Sequence, residues 1–132
     1  MDNCIFCRIA KGEIPCEKIW EDRDFLAFLD IHPTTEGMTL IIPKQHLSSN
    51  VFHNEDRDVH NLISAAKKVS ILLEKNLIIE RVSALFEGIE INHLHLKLYP
   101  LRKGESLKMV LDAEGCTPTH EELHKLALKI TK

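Results

Sequence analysis

Three different spacings of apolar residues mark out the predicted elements of this chain. Between Asp56 and Asn76, Val59, Leu62, Ile63, Ala66, Val69, Leu72 and Leu73 recur at threes and fours, the period of one long amphipathic helix. From Ile91 to Tyr99 the period is two, so Leu94, Leu96 and Leu98 share one strand face while His93, His95 and Lys97 share the other. Met38-Thr39-Leu40-Ile41-Ile42 is a short, largely apolar run ended by Pro43, the form of a buried central strand. Shorter strands are expected at Ile19–Glu21 and Phe25–Leu29, linked by a hairpin at Asp22-Arg23-Asp24. Another is expected at Arg81–Phe86, joined to the histidine strand at Glu87-Gly88. Cys4–Ala10 reads as a first turn of helix, broken around Gly12, Pro15 and Cys16, and Thr119-His120-Glu121-Glu122 is a capping box that opens a last helix.

Strands, helix, strands and helix in that order predict an α+β fold. Its form is a mostly antiparallel five-stranded sheet with one long helix across it and a C-terminal helix. No repeat, low-complexity tract or linker interrupts the pattern, and 132 residues suffice to bury a core, so one domain over residues 1–132 is expected.

The histidine strand carries the chemistry. Its leucines can anchor it in a core while the imidazoles face a cleft, where imidazole can act as ligand, base or nucleophile near neutral pH. The plain alternative is the solvated outer face of a half-buried strand. Solvated faces favour Lys, Glu and Thr, so two histidines at period two followed by a lysine favour the functional reading.

Charge and composition narrow the partners. A net charge of −3 with interspersed signs offers no basic stripe, so neither duplex nucleic acid nor an anionic membrane is indicated, whereas a nucleotide fits. The N-terminal stretch before Glu13 is too polar for a signal peptide, and no apolar run is long enough to span a bilayer. The reading is of a cytoplasmic protein, in which Cys4, Cys7, Cys16 and Cys116 remain thiols. Cys4 and Cys7 have the spacing of a zinc knuckle, although a lone CxxC in an apolar helical turn is also a pattern of small, buried packing. Cys16 and Cys116 are assigned nothing, and His32, His53, His60, His120 and His124 fall in turns or on polar helix faces, where they read as solvated.

Nearly end to end, the chain resembles the histidine triad family of nucleotide hydrolases and transferases. The resemblance is carried by Cys4-Ile5-Phe6-Cys7-Arg8-Ile9, Gly12-Glu13-Ile14-Pro15, Glu21-Asp22 and Phe25-Leu26-Ala27-Phe28-Leu29-Asp30-Ile31. It continues in Gly37-Met38-Thr39-Leu40-Ile41-Ile42-Pro43-Lys44-Gln45-His46 and in Glu87-Gly88-Ile89-Glu90-Ile91-Asn92-His93-Leu94-His95. It implies a homodimer whose two sheets join into one, with a purine nucleotide or nucleoside phosphate conjugate bound beside the histidine strand. It places the nucleophile at His95, attacking an α-phosphate to form a nucleotidyl-imidazole that is hydrolysed or passed to an acceptor. His93 and Lys97 are implied to complete the catalytic row. Ile5, Phe6, Ile9, Phe28 and Leu29 match positions around the base, Ile91 is also placed among the nucleotide-binding residues, and Asp30 matches the carboxylate that accepts ribose hydroxyls. Taken alone, Phe6, Phe28 and Leu29 read as core and Asp30 as a turn residue. His46 and His93 match positions that, with Cys4 and Cys7, complete a structural zinc site in some members.

The chain departs from the family pattern at two places. Lys97 stands where the triad has its third histidine, and Met38 stands where a histidine usually lies between the glycine and threonine of the third strand. A lysine can place positive charge near phosphate but is a poor general base at neutral pH. A uridylyltransferase branch of the superfamily also lacks the third histidine. Glu90 and Ile91 replace the glycine and glutamine that precede the row in one large subgroup, while another subgroup has the Glu87-Gly88 type of approach. The leading expectation is a nucleotide hydrolase or nucleotidyl transferase. The alternative is a noncatalytic nucleotide-binding or interaction protein that lost turnover through Met38 and Lys97.

Overall fold

A computed structural model describes residues 3–132; Met1 and Asp2, part of the segment read against a signal peptide, lie outside the described residues. The elements run α1 (Ile5–Ala10), β1 (Lys18–Glu21), β2 (Phe25–Leu29), β3 (Thr39–Pro43), α2 (Asp56–Asn76), β4 (Arg81–Leu85), β5 (Leu96–Leu101), α3 (Leu107–Asp112) and α4 (His120–Ile130). The five strands form one sheet in the order β1-β2-β3-β5-β4, and every pairing is antiparallel. This is the α+β architecture expected of the sequence. Among the described residues no helix is long and apolar enough to cross a membrane.

Local chemistry explains the boundaries. Asp22 closes the β1–β2 hairpin by accepting the Asp24 and Phe25 N–H groups at 2.9 and 2.8 Å. In α2, Leu62, Ala66, Val69 and Leu73 are buried in a stripe, with Asp56 and Asp58 in the first turn and Lys75 in the last, each charge matched to the helix dipole. The predicted capping box at α4 is present: Thr119 Oγ1 accepts from Glu122 N, and Glu122 Oε1 accepts from Thr119 N. The turn into β3 needs Gly37, whose φ is +88° and whose absent Cβ would lie 2.8 Å from Leu77 Cδ1.

Both faces of the sheet are buried, and this sets up the site. On one face Ile19, Phe25, Ala27, Ile41, Leu96 and Leu98 join the buried stripe of α2 in the main core. On the other, Leu26, Phe28, Leu40 and Ile42 pack with Phe6 of α1, while Met38, Tyr99 and Leu101 pack with Val110 of α3. The last helix pair includes one element that sequence periodicity does not predict: α3, opened by Ser106 accepting from Met109 N.

The histidine strand requires correction. It begins at Leu96, not Ile91, and the joint at Glu87-Gly88 is no tight hairpin, since residues 86–95 all lie between β4 and β5. The backbone groups that would extend the ladder have other partners. Leu94 N–H donates to Leu47 O at 2.9 Å, and His93 O accepts from the His95 ring at 2.7 Å. The intervening loop is pinned by Ser49 Oγ, which donates to Gly88 O at 2.7 Å. Gly88 itself has φ +73° and lies so close to Ser49 O that a Cβ would clash.

Candidate functional site

Alternation still places His93, His95 and Lys97 on the side of the chain away from the leucines, but that side is not solvated. His93 and His95 are both buried, with relative exposures of 0% and 6%, which excludes the outer-face alternative. Each ring sits edge-on to Phe6, with centroids 5.8 Å from His93 and 5.0 Å from His95.

The two rings are held in opposite tautomers. A carbonyl oxygen can only accept, so the 2.8 Å contact from His93 Nε2 to Pro43 O places the proton on Nε2 and leaves Nδ1 as the basic nitrogen. That Nδ1 lies 3.4 Å from both Cys4 Sγ and Cys7 Sγ. In His95 it is Nδ1 that donates, to His93 O at 2.7 Å, and Nε2 keeps the lone pair. Burial lowers the pKa of both imidazoles below the ordinary value, favouring the neutral form.

Cys4, Cys7, His46 and His93 bring one ligand atom each to within 4.8 Å of one another. Tetrahedral zinc with Zn–S of about 2.3 Å and Zn–N of about 2.0 Å requires S···N separations of about 3.5 Å. The observed separations, 3.4 Å for Cys4 and Cys7 to His93 and 3.2 Å for Cys7 to His46, are close to that value. The Pro43 carbonyl behind His93 is the kind of outer partner that orients a ligating imidazole. Burial raises the pKa of the Cys7 thiol, so binding a metal there would release a proton. The donor set and its spacing therefore fit a metal, and the CxxC has more around it than apolar packing.

Beside this cluster lies a cleft of about 490 Å³. Its apolar wall is built from Ile5, Phe6, Ile9, Phe28 and Ile91, and its polar contributors include Asp30, His95 and Lys97. Phe6 and Phe28 meet edge to face at 5.9 Å. Asp30 Oδ1 accepts the His32 N–H at 2.8 Å, so the carboxylate is held in an Asx turn with a second oxygen to offer. Leu29 also borders the cleft, although it packs in the main core, on the opposite sheet face from Phe28. Met38 borders the cleft from an apolar floor with Tyr99 and Val110.

The structure thus brings every residue of the expected constellation to one cleft or the adjoining cluster. It adds Cys16, Tyr99, Leu111 and the loop residues Glu87, Ile89 and Glu90, none of which sequence reading had placed there. Tyr99 was legible in principle, being two places beyond Lys97 in the same alternation. Leu111 was not, because α3 itself was not predicted.

An antiparallel sheet with an imidazole-bearing cleft and a thiol–imidazole cluster against it defines an α+β protein with a candidate ligand site. The match of residues 11–104 to the HIT domain places the chain in that family. Cys4, Ile5, Phe6, Cys7 and Ile9 precede the matched segment. An uncharacterised HIT-like protein of Methanocaldococcus jannaschii is 37% identical over 106 residues, covering 77% of this chain and 81% of that protein. The adenosine 5'-monophosphoramidase of Schizosaccharomyces pombe is 34% identical over 99 residues, covering 74% of each chain. A zinc-bound histidine triad family protein from Mycobacterium smegmatis superposes with a TM-score of 0.78 at 26% identity, covering 98% of this chain and 94% of that one.

Proposed function

We propose that this HIT-like domain is a nucleotide hydrolase or nucleotidyl transferase acting at an α-phosphate, with His95 as nucleophile. The observation that carries the reading is the tautomer of His95: Nδ1–H is held by His93 O, leaving Nε2 unprotonated on a buried ring that lines the cleft. A neutral imidazole is a good nucleophile at pH 7, and a fixed ring loses little entropy on reaction. The apolar wall of Ile5, Phe6, Ile9, Phe28 and Ile91 takes the base, with Leu29 at its border, and the second oxygen of Asp30 accepts from ribose. Nε2 attacks the α-phosphorus, the leaving group departs, and water or another acceptor then displaces the nucleotide from His95. His93 takes part through its carbonyl as a positioning residue, and Lys97 supplies charge near the phosphates. The named activity of the fission-yeast relative supports adenosine 5'-phosphoramidate as a first assay substrate.

Cys4, Cys7, His46 and His93 would hold zinc in a structural role. Bound there, zinc would tie α1 and its N-cap Cys4 to the segments after β3 and before β5, and so steady the carbonyl that orients His95. We also propose a homodimer through β4, an edge strand of the sheet whose outer backbone can pair with a second copy.

The test is intact-protein mass spectrometry after mixing with adenosine 5'-phosphorimidazolide. An adenylyl adduct on the wild type that is absent from His95→Ala is the expected result. Nucleotide binding with neither adduct nor turnover would instead support the noncatalytic reading, with Met38 and Lys97 as the marks of lost activity.

A further inference from the structure

We propose that Lys97 is a specificity-determining residue, selecting nucleotides whose α-phosphate carries a phosphate leaving group over those whose α-phosphate carries an amine. This rests on the hydrolase reading and concerns the other side of the scissile bond. Lys97 is held by pairing on both sides, opposite Leu40 of β3 and Leu85 of β4, so its position in the cleft is built into the sheet. It is half-buried, and among the described residues no carboxylate lies within salt-bridge distance of it, although Asp30, Glu87 and Glu90 border the same cleft. A partly desolvated cation without a partner is costly, and an anionic ligand relieves that cost.

A lysine ammonium is a weak acid at neutral pH, and the cleft holds few other acids suited to an amine. Tyr99 is buried, which raises its pKa and makes it a weaker acid still. His32, the one other imidazole bordering the cleft among the described residues, is exposed, and its Nδ1 lies 3.3 Å from Thr117 Oγ1. An amine must be protonated as it leaves, whereas a phosphate needs only stabilisation of its growing negative charge. Lys97 meets the second need. As the bond from His95 Nε2 to phosphorus forms, the P–O bond to the leaving phosphate breaks. The departing oxygen keeps the electron pair beside the ammonium, and no proton moves. Water then attacks phosphorus, the N–P pair returns to Nε2, and the water proton leaves to solvent as nucleoside monophosphate is released.

The experiment compares kcat/KM for diadenosine triphosphate and adenosine 5'-phosphoramidate in wild type, Lys97→Gln, Lys97→Met and Lys97→Arg. Adduct formation from adenosine 5'-phosphorimidazolide is measured on each protein as an independent check of His95. The wild type is expected to prefer the anhydride by at least about tenfold. Gln and Met should lose about a hundredfold on the anhydride and at least about tenfold less than that on the phosphoramidate, and Arg should restore the preference. A wild type that prefers the phosphoramidate, or variants that lose both substrates equally, would overturn the inference while a His95 adduct still forms. If no protein forms the adduct, the hydrolase reading falls and this inference falls with it.

Discussion

His93 and His95 lie two residues apart, both buried and both edge-on to Phe6, yet their surroundings prepare them for different work. Around His93 the ring proton is bound by Pro43 O, and the basic nitrogen points among two sulfurs. Around His95 the ring proton is bound by the backbone of His93 itself, and the basic nitrogen belongs to a ring lining an open cleft. The first region is closed and suited to holding an ion; the second is open and suited to an exchanging ligand. The role of an imidazole thus follows from which of its nitrogens a carbonyl has claimed, more than from burial, which the two share.

Replacing the two histidines should separate the regions most clearly. His95→Ala should lower turnover by about a thousandfold or more and leave bound zinc in place, with a smaller loss of stability of about 1–2 kcal/mol, because its ring is also buried against Phe6 and bonded to His93 O. His93→Ala should instead cost about 3 kcal/mol in denaturant unfolding, because it empties a buried site and strands Pro43 O. It should also abolish bound zinc, read as metal per chain by elemental analysis. Loss of bound zinc in both variants, or full turnover in His95→Ala, would erase the distinction.

A smaller effect sharpens the cleft side. Asp30→Asn keeps an acceptor for the His32 N–H but loses the charge offered to ribose. KM should rise about tenfold with kcat nearly unchanged, as expected for a charge-assisted hydrogen bond made equally in ground and transition states. A fall in kcat alone would place Asp30 in the chemistry.

The smallest effect lies outside both regions. Lys18, then Lys44, hold the Glu21 carboxyl down to about 2, through contacts of 2.7 and 2.8 Å. Its folded pKa is below the unfolded value, so its stabilisation is present above about pH 4.5 and is lost as pH falls toward 2. The side chain is about a third exposed, and solvent screening limits the contribution to less than about 1 kcal/mol. Glu21→Gln should show that loss at pH 7, with the difference from wild type vanishing near pH 2. Turnover should be unchanged.

By itself the sequence determined the order and type of most elements. The three-and-four spacing of α2, the apolar run of β3 and the capping box of α4 are local patterns that tertiary contacts reinforce. It also determined the family resemblance, including the residues that gather at the cleft. Other features rest on partners distant along the chain. The start of β5 depends on Leu47 taking the Leu94 N–H, and the tautomer of His93 depends on a carbonyl 50 residues away. Alternation along Ile91–Tyr99 distinguishes two faces only in polarity, and here both faces are buried, so the pattern could not separate a strand from the loop that enters it. The packing of α3 beneath Met38 likewise needed the fold, because a six-residue helix is too short to declare itself by periodicity and is stabilised chiefly by what it covers.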